Sequence, residues 1–218
     1  MLSTCPESPF RRALAAPTVR AMGRSPRIEV PDGYYHAHMR GNDRQDIYFG
    51  NWSGRLFLRE LERVVVRFSW RILAYCLMQN HYHLVLQLRE ANLSDGMCEL
   101  NGRFARTTNR LLKRTDHLFG DRFKSWSIED DDYVYEVTRY VLLNPLRAGA
   151  IREPRMWRWS SMRTTVGLAS TPRLLDVDWI LGHFCDDREA APAVFNRYVE
   201  EGIGKPRPVP GTATEAER

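Results

Sequence analysis

The stretch RILAYCLMQNHYHLVLQL, residues 71–88, decides the fold. Two short apolar runs, Arg71 to Met78 and Tyr82 to Leu88, flank the polar pair Gln79-Asn80. Runs of that length, bounded by turn residues and rich in β-favouring side chains, read as strands. A two-residue connection makes them an antiparallel hairpin, although it lacks the glycine that such turns favour. His81-Tyr82-His83 opens the second strand. Residues i and i+2 of a strand share a face, so both imidazoles leave the sheet together. Two neutral imidazoles can hold a divalent metal if a third ligand arrives from elsewhere. Alone, the same pattern also suits two partly buried histidines bonded to backbone.

Working outward, Tyr34 to Met39 is a short apolar run that ends at the turn signal Arg40-Gly41-Asn42-Asp43. It reads as a strand. From Ser53, Leu56, Leu58, Leu61, Val64, Val65 and Phe68 recur at helical spacing. After the hairpin, Ser94 or Asp95 caps a helix to about Arg114. That helix separates Met97, Leu100, Phe104 and Leu111 from Arg103, Arg106, Arg110, Lys113 and Arg114. Phe123 to Ile128 reads as a fourth strand. Glu129-Asp130-Asp131-Asp132 then gives an acidic start, suited to the helix dipole, to a helix that Pro145 ends or kinks. Further helices are expected at Val177–Phe184 and Ala190–Glu201. The order β-α-β-β-α-β-α predicts an α+β protein: a ferredoxin-like antiparallel sheet with helices on one face and a helical C-terminal extension. The expected divisions are a poorly ordered extension (1–25), the main domain (26–165), the helical extension (166–201) and a disordered tail (202–218).

The 218 residues carry 32 basic and 27 acidic side chains, a net charge of +5. The excess is uneven: residues 1–128 hold 20 basic and 12 acidic groups, and residues 129–218 hold 12 and 15. Of the basic residues 29 are Arg, whose planar fork suits phosphate, so a nucleic-acid partner is considered. No apolar run is long enough for a transmembrane helix. Cys5, Cys76, Cys98 and Cys185 are scattered without a CxxC pair, which excludes a cysteine-rich zinc module and fits reduced thiols in a cytoplasm.

Tyr140 and Asn144 stand four apart and would share a helix face. A tyrosine hydroxyl can act as a nucleophile beside a metal, and an amide oxygen can ligate that metal. Tyr133 and Tyr135 lie on the same helix, so periodicity does not choose among the three.

Five blocks in order resemble the REP-associated tyrosine transposases, part of the single-tyrosine HUH nuclease group. They are Arg40–Gln45, Asn80–Val85, Phe119–Ser125, Arg139–Gly149 and Trp159-Ser160-Ser161. The resemblance covers about residues 24–165. It implies a ferredoxin-like fold, His81 and His83 as metal ligands, Tyr140 as nucleophile, and Asn144 where relatives carry a polar third ligand. The implied cofactor is Mg²⁺ or Mn²⁺. The implied partner is single-stranded or hairpin DNA, cleaved through a covalent 5′-phosphotyrosine link, in a monomer or a homodimer. Arg40, Asn42, Arg103, Arg106, Arg110, Lys113, Arg114, Arg122 and Lys124 are the expected DNA contacts. Exposed tryptophans such as Trp126 or Trp157 could stack unpaired bases, whereas Trp159 is expected in the core. Met22–Glu29 resembles the usual family start, so residues 1–21 are expected to be dispensable. The alternative is a catalytically silent protein that only binds hairpin DNA. A zinc hydrolase on Cys76, His81 and His83 is disfavoured, because Cys76 is expected to have the wrong strand parity across the hairpin turn and no general base is evident.

Overall fold

A computed structural model describes residues 27–208. The expected extension at residues 1–25 and the end of the tail lie outside the described residues. Within them the chain runs β1 (Tyr34–Arg40), α1 (Asn51–Phe68), β2 (Arg71–Met78), β3 (His81–Gln87), α2 (Leu93–Leu112), β4 (Lys124–Ile128) and α3 (Asp131–Arg147). Three short helices follow: α4 (Met162–Thr165), α5 (Val177–Gly182) and α6 (Ala191–Glu200). The four strands form one antiparallel sheet in the order β2-β3-β1-β4. This is the ferredoxin-like arrangement expected from the order of the elements.

The hairpin closes with Met78 opposite His81, so Gln79 and Asn80 form the whole turn. Tertiary hydrogen bonds brace this turn in the absence of glycine. Gly41 N donates to Asn80 O at 2.8 Å, and Ile47 N and Tyr48 N both donate to Gln79 O. The loop that provides these donors needs Gly41, because a Cβ there would collide with Gln45 O.

The helices do not all lie on one face, as had been expected. Tyr82, Leu84 and Leu86 of β3 face a core built with α1 and α2, including Phe57, Leu61, Met97 and Phe104. The alternate residues face a second core built with α3, α5 and α6, including Val134, Val137, Val141, Ile180 and Phe195. The mixed apolar composition of β2 and β3 follows from this, since both their faces are covered.

Boundaries shift where side chains take other partners. Asn92, not Ser94 or Asp95, stands at the N-cap of α2. Its Oδ1 accepts from Trp70 Nε1 at 2.7 Å and its Nδ2 donates to Phe68 O. Ser94 instead bonds Glu29 through its backbone N. At α3 the acidic start behaves as expected, with Asp130 Oδ1 accepting from Asp132 N at 2.9 Å. Helix α3 continues through Pro145 to Arg147. Pro145 has no N–H for the carbonyl of Val141. The amide of Asn144 replaces it: Nδ2 donates to Val141 O at 3.4 Å and to Tyr140 O at 2.9 Å.

Candidate active site

Strand parity places His81 and His83 on the face covered by α3. They are not alone there. Antiparallel partners share a face, and β1 pairs His38 with His83, Arg40 with His81 and His36 with Val85. Four imidazoles therefore occupy one face of the two central strands. The pattern that marks His81 and His83 recurs at His36-Ala37-His38, and it is the signal that the sequence reading missed.

Hydrogen bonds orient the two expected ligands. Asn80 Nδ2 donates to Arg44 O at 3.0 Å, which fixes which way its amide points. Asn80 Oδ1 then lies 2.7 Å from His81 Nδ1. An amide oxygen only accepts, so His81 carries its proton on Nδ1 and presents the Nε2 lone pair. His83 Nδ1 lies 2.9 Å from Nε2 of the buried His36. Ligation through His83 Nε2 requires the tautomer in which His83 Nδ1–H donates to His36. In that state His36 Nδ1 is a buried N–H with no hydrogen-bond partner in the protein. Its ring meets the indole of Trp126 edge-on at 4.0 Å between centroids.

All four imidazoles are neutral near pH 7. Burial, with help from Lys124 and Arg40, pulls His38 down to about 4. Burial together with Arg40 and His38 does the same for His81. Burial holds His36 and His83 well below the usual histidine range, with neighbouring imidazoles adding to the effect. Neutral rings are the form that ligates metal.

Helix α3 lays Tyr140 over this platform. Its ring centroid is 6.0 Å from that of His83 and 6.1 Å from that of His36. The Arg147 guanidinium lies 5.0 Å from the Tyr140 ring centre. Arg147 Nη2 donates to Lys205 O, and Nη1 is buried without a partner. Asn144 stands one turn beyond Tyr140 and its amide nitrogen is committed to the helix, so only Oδ1 is left for a ligand. Tyr135, a competing tyrosine, is buried and stacks on His183 and Trp179 away from the histidines.

Cys76 proves to be the register partner of His83, on the same face, contrary to the parity expected for it. Its thiol is fully buried and burial pushes its pKa strongly up, which opposes a thiolate ligand. Among the described residues no group of three His, Cys, Asp or Glu side chains is placed to hold a metal. Any site here is therefore a histidine pair completed by another kind of donor.

The expected DNA contacts separate into groups. Arg40 and Lys124 share the histidine face, as partners of His81 and His38. Arg106, Arg110 and Lys113 are exposed on α2, behind the opposite face. Arg103 leaves the expected stripe: its Nε donates to Oε2 of the buried Glu60 at 2.8 Å, tying α2 to α1. Arg114 donates to Gln45 at the end of the sheet where His81 begins β3. Asn42 is a loop brace, with its N bonded to Leu118 O and its side chain packed where a Cβ at Gly120 would collide. Arg122 is exposed.

Residues 29–143 match the family model described as transposase, IS200-like. The solved structure of a REP-associated tyrosine transposase bound to a REP hairpin is similar, with a TM-score of 0.59 and 17% sequence identity. The likeness covers 72% of this chain and 91% of that one, and it shows the fold. A protein from Deinococcus radiodurans described as a transposase aligns over 55% of this chain and 93% of its own, at 14% identity and a TM-score of 0.39. No curated protein matches at a significant level. No helix among the described residues is long and apolar enough to cross a membrane.

Proposed function

The chain belongs to the IS200-like transposase family, and from that premise we propose that it cleaves and rejoins hairpin-bearing DNA strands through Tyr140. The observation that carries this reading is Tyr140 lying over a pair of neutral histidines whose Nδ1 atoms are engaged and whose Nε2 atoms are left for a ligand. The hairpin-bound state of the similar solved transposase supports the choice of substrate.

His81 and His83, with Asn144 Oδ1 as a third donor, suit a divalent cation that accepts mixed nitrogen and oxygen ligands. When bound, Mg²⁺ or Mn²⁺ would withdraw charge from a non-bridging oxygen of the scissile phosphate. Tyr140 Oη attacks phosphorus in line. The Oη–P bond forms, the Oη–H and P–O3′ bonds break, and the proton lost by Oη is balanced by the one the departing O3′ gains. The tyrosine is left bonded to the 5′-phosphate. Attack by another 3′-hydroxyl reverses the step and joins new strands, so the phosphodiester energy is conserved. Arg147 holds positive charge beside the tyrosine ring. Arg40 and Lys124 add positive charge on the same face, where a strand would cross.

The test is a denaturing gel of the protein incubated with hairpin oligonucleotides and Mn²⁺. A protein–DNA adduct that Tyr140→Phe abolishes is expected. Tight hairpin binding without any adduct would instead favour a silent DNA-binding protein.

A further inference from the structure

Beside the histidine platform, against edge strand β2, lies a cavity of about 350 Å³ that the chemistry above does not use. Its walls include Met78, Met156, Trp157 and Trp159. We propose that it is a nucleobase pocket, which takes an unpaired base flanking the scissile phosphate. The proposal rests on the reading of Tyr140 as a DNA nucleophile.

Its position supports this. Met78 is the register partner of His81, and antiparallel partners stand roughly 5 Å apart at their Cα atoms. A phosphate at His81 and His83 therefore has its neighbouring nucleotide within reach of the cavity. The walls are flat and preorganised. Trp157 Nε1 donates to Leu77 O at 2.9 Å, and Leu77 N donates to Trp159 O at 2.8 Å, so edge strand β2 pins both tryptophans. Trp159 also lies against Gly54, where any Cβ would press into the indole. Aromatic faces hold unpaired bases of any sequence by stacking. The expectation that Trp159 belongs to the core is half met: it packs against the core and also lines this cavity.

The polar groups fit the same occupant. Arg158 lies 4.9 Å over the Trp159 ring and lines the cavity, supplying positive charge for the backbone of an entering nucleotide. Gln79 spends its Nε2 on Tyr48 O and Asp46. Its Oε1 is left to accept from a base edge. Met156 lines the same cavity and is 57% exposed, so its side chain is open to an entering base. The volume lies near the low end for ligand pockets, a size for one base and not for a stack.

The probe is a DNA hairpin with single-stranded flanks, drawn from a flank-randomised pool by its ability to form the Tyr140 adduct. Each unpaired nucleotide is then replaced, one at a time, by an abasic site, and affinity is read by fluorescence anisotropy. For the wild-type protein one position should lose roughly tenfold in affinity. For Met156→Asp, altered at an exposed site, the penalty at that position should shrink below about twofold. In the wild-type protein, 2-aminopurine at that position should be quenched by the tryptophans on binding. Adduct formation with no position coupled to Met156, or with unquenched 2-aminopurine, would overturn the pocket and leave the nuclease reading standing. A pool that yields neither adduct nor binding would overturn both.

Discussion

Asn80→Ala tests the orientation of the metal ligands without touching either histidine. In the wild-type protein Arg44 O fixes the Asn80 amide, and Asn80 Oδ1 holds the proton on His81 Nδ1. The substitution removes that acceptor, so the ring can turn and can place its proton on Nε2. Loss of such an outer partner typically weakens metal binding about 10- to 100-fold, or about 1.4 to 2.7 kcal/mol. The cost to folding is small, because the bond to Arg44 O is exposed. It should be about 1 kcal/mol or less, a fall of about 2–4 °C in melting temperature. Asn80→Asp is the control: it keeps an acceptor for His81 while losing the donor to Arg44 O. It should melt earlier than the wild-type protein yet hold metal within a few-fold. Calorimetric titration with Mn²⁺ near pH 7 reads the effect directly, because His81 is neutral there and protons do not compete. Folded Asn80→Ala protein that binds Mn²⁺ like the wild-type protein would refute the orientation argument, as would Asn80→Asp losing as much as Asn80→Ala.

Two further outcomes follow from the charges. Arg40→Gln, at an exposed position on the histidine face, should weaken DNA binding and reduce the log–log salt slope by about one, with no change in melting temperature. Arg103→Gln should do the reverse, lowering the melting temperature with the slope unchanged, because Arg103 serves Glu60. Metal-free protein should lose stability as pH falls from about 6.5 towards 4. The unfolded chain protonates its histidines near 6.5, whereas His38 and His81 resist until about 4. The unfolded state therefore binds more protons across that window. At pH 5 the loss should be about 1 to 2 kcal/mol per ring, measured by urea unfolding in the presence of a chelator.

Residues 71–88 were readable because parity and a two-residue connection leave little choice for a short apolar pair of runs. The histidine pair and the tyrosine helix followed from local spacing. What could not be read was non-local. His36 and His38 stand in a run already assigned as a strand, but nothing in one sequence states that β1 pairs with β3, or in which register. That pairing turns two histidines into four. Glu60 and Arg103 each look like solvated helix positions, and only the packing of α1 on α2, across 43 residues of chain, makes them partners. Asn144 looked like a ligand or a helix stop. Its amide nitrogen instead fills a gap that Pro145 creates one residue later, inside a helix that continues.

The order β2-β3-β1-β4 also divides the site by timescale. The imidazoles hang from β3 and β1, the two strands bonded on both sides. Central strands open less readily than edge strands, so the platform belongs to the slowest-opening part of the molecule. Tyr140 hangs from α3, which is joined to edge strand β4 by a two-residue link and packs across the histidine face of the sheet. Helix α3 can therefore loosen while the histidines stay in place. A nucleophile that must release one DNA end and accept another would then be the part of the centre free to fluctuate, over a base that is not.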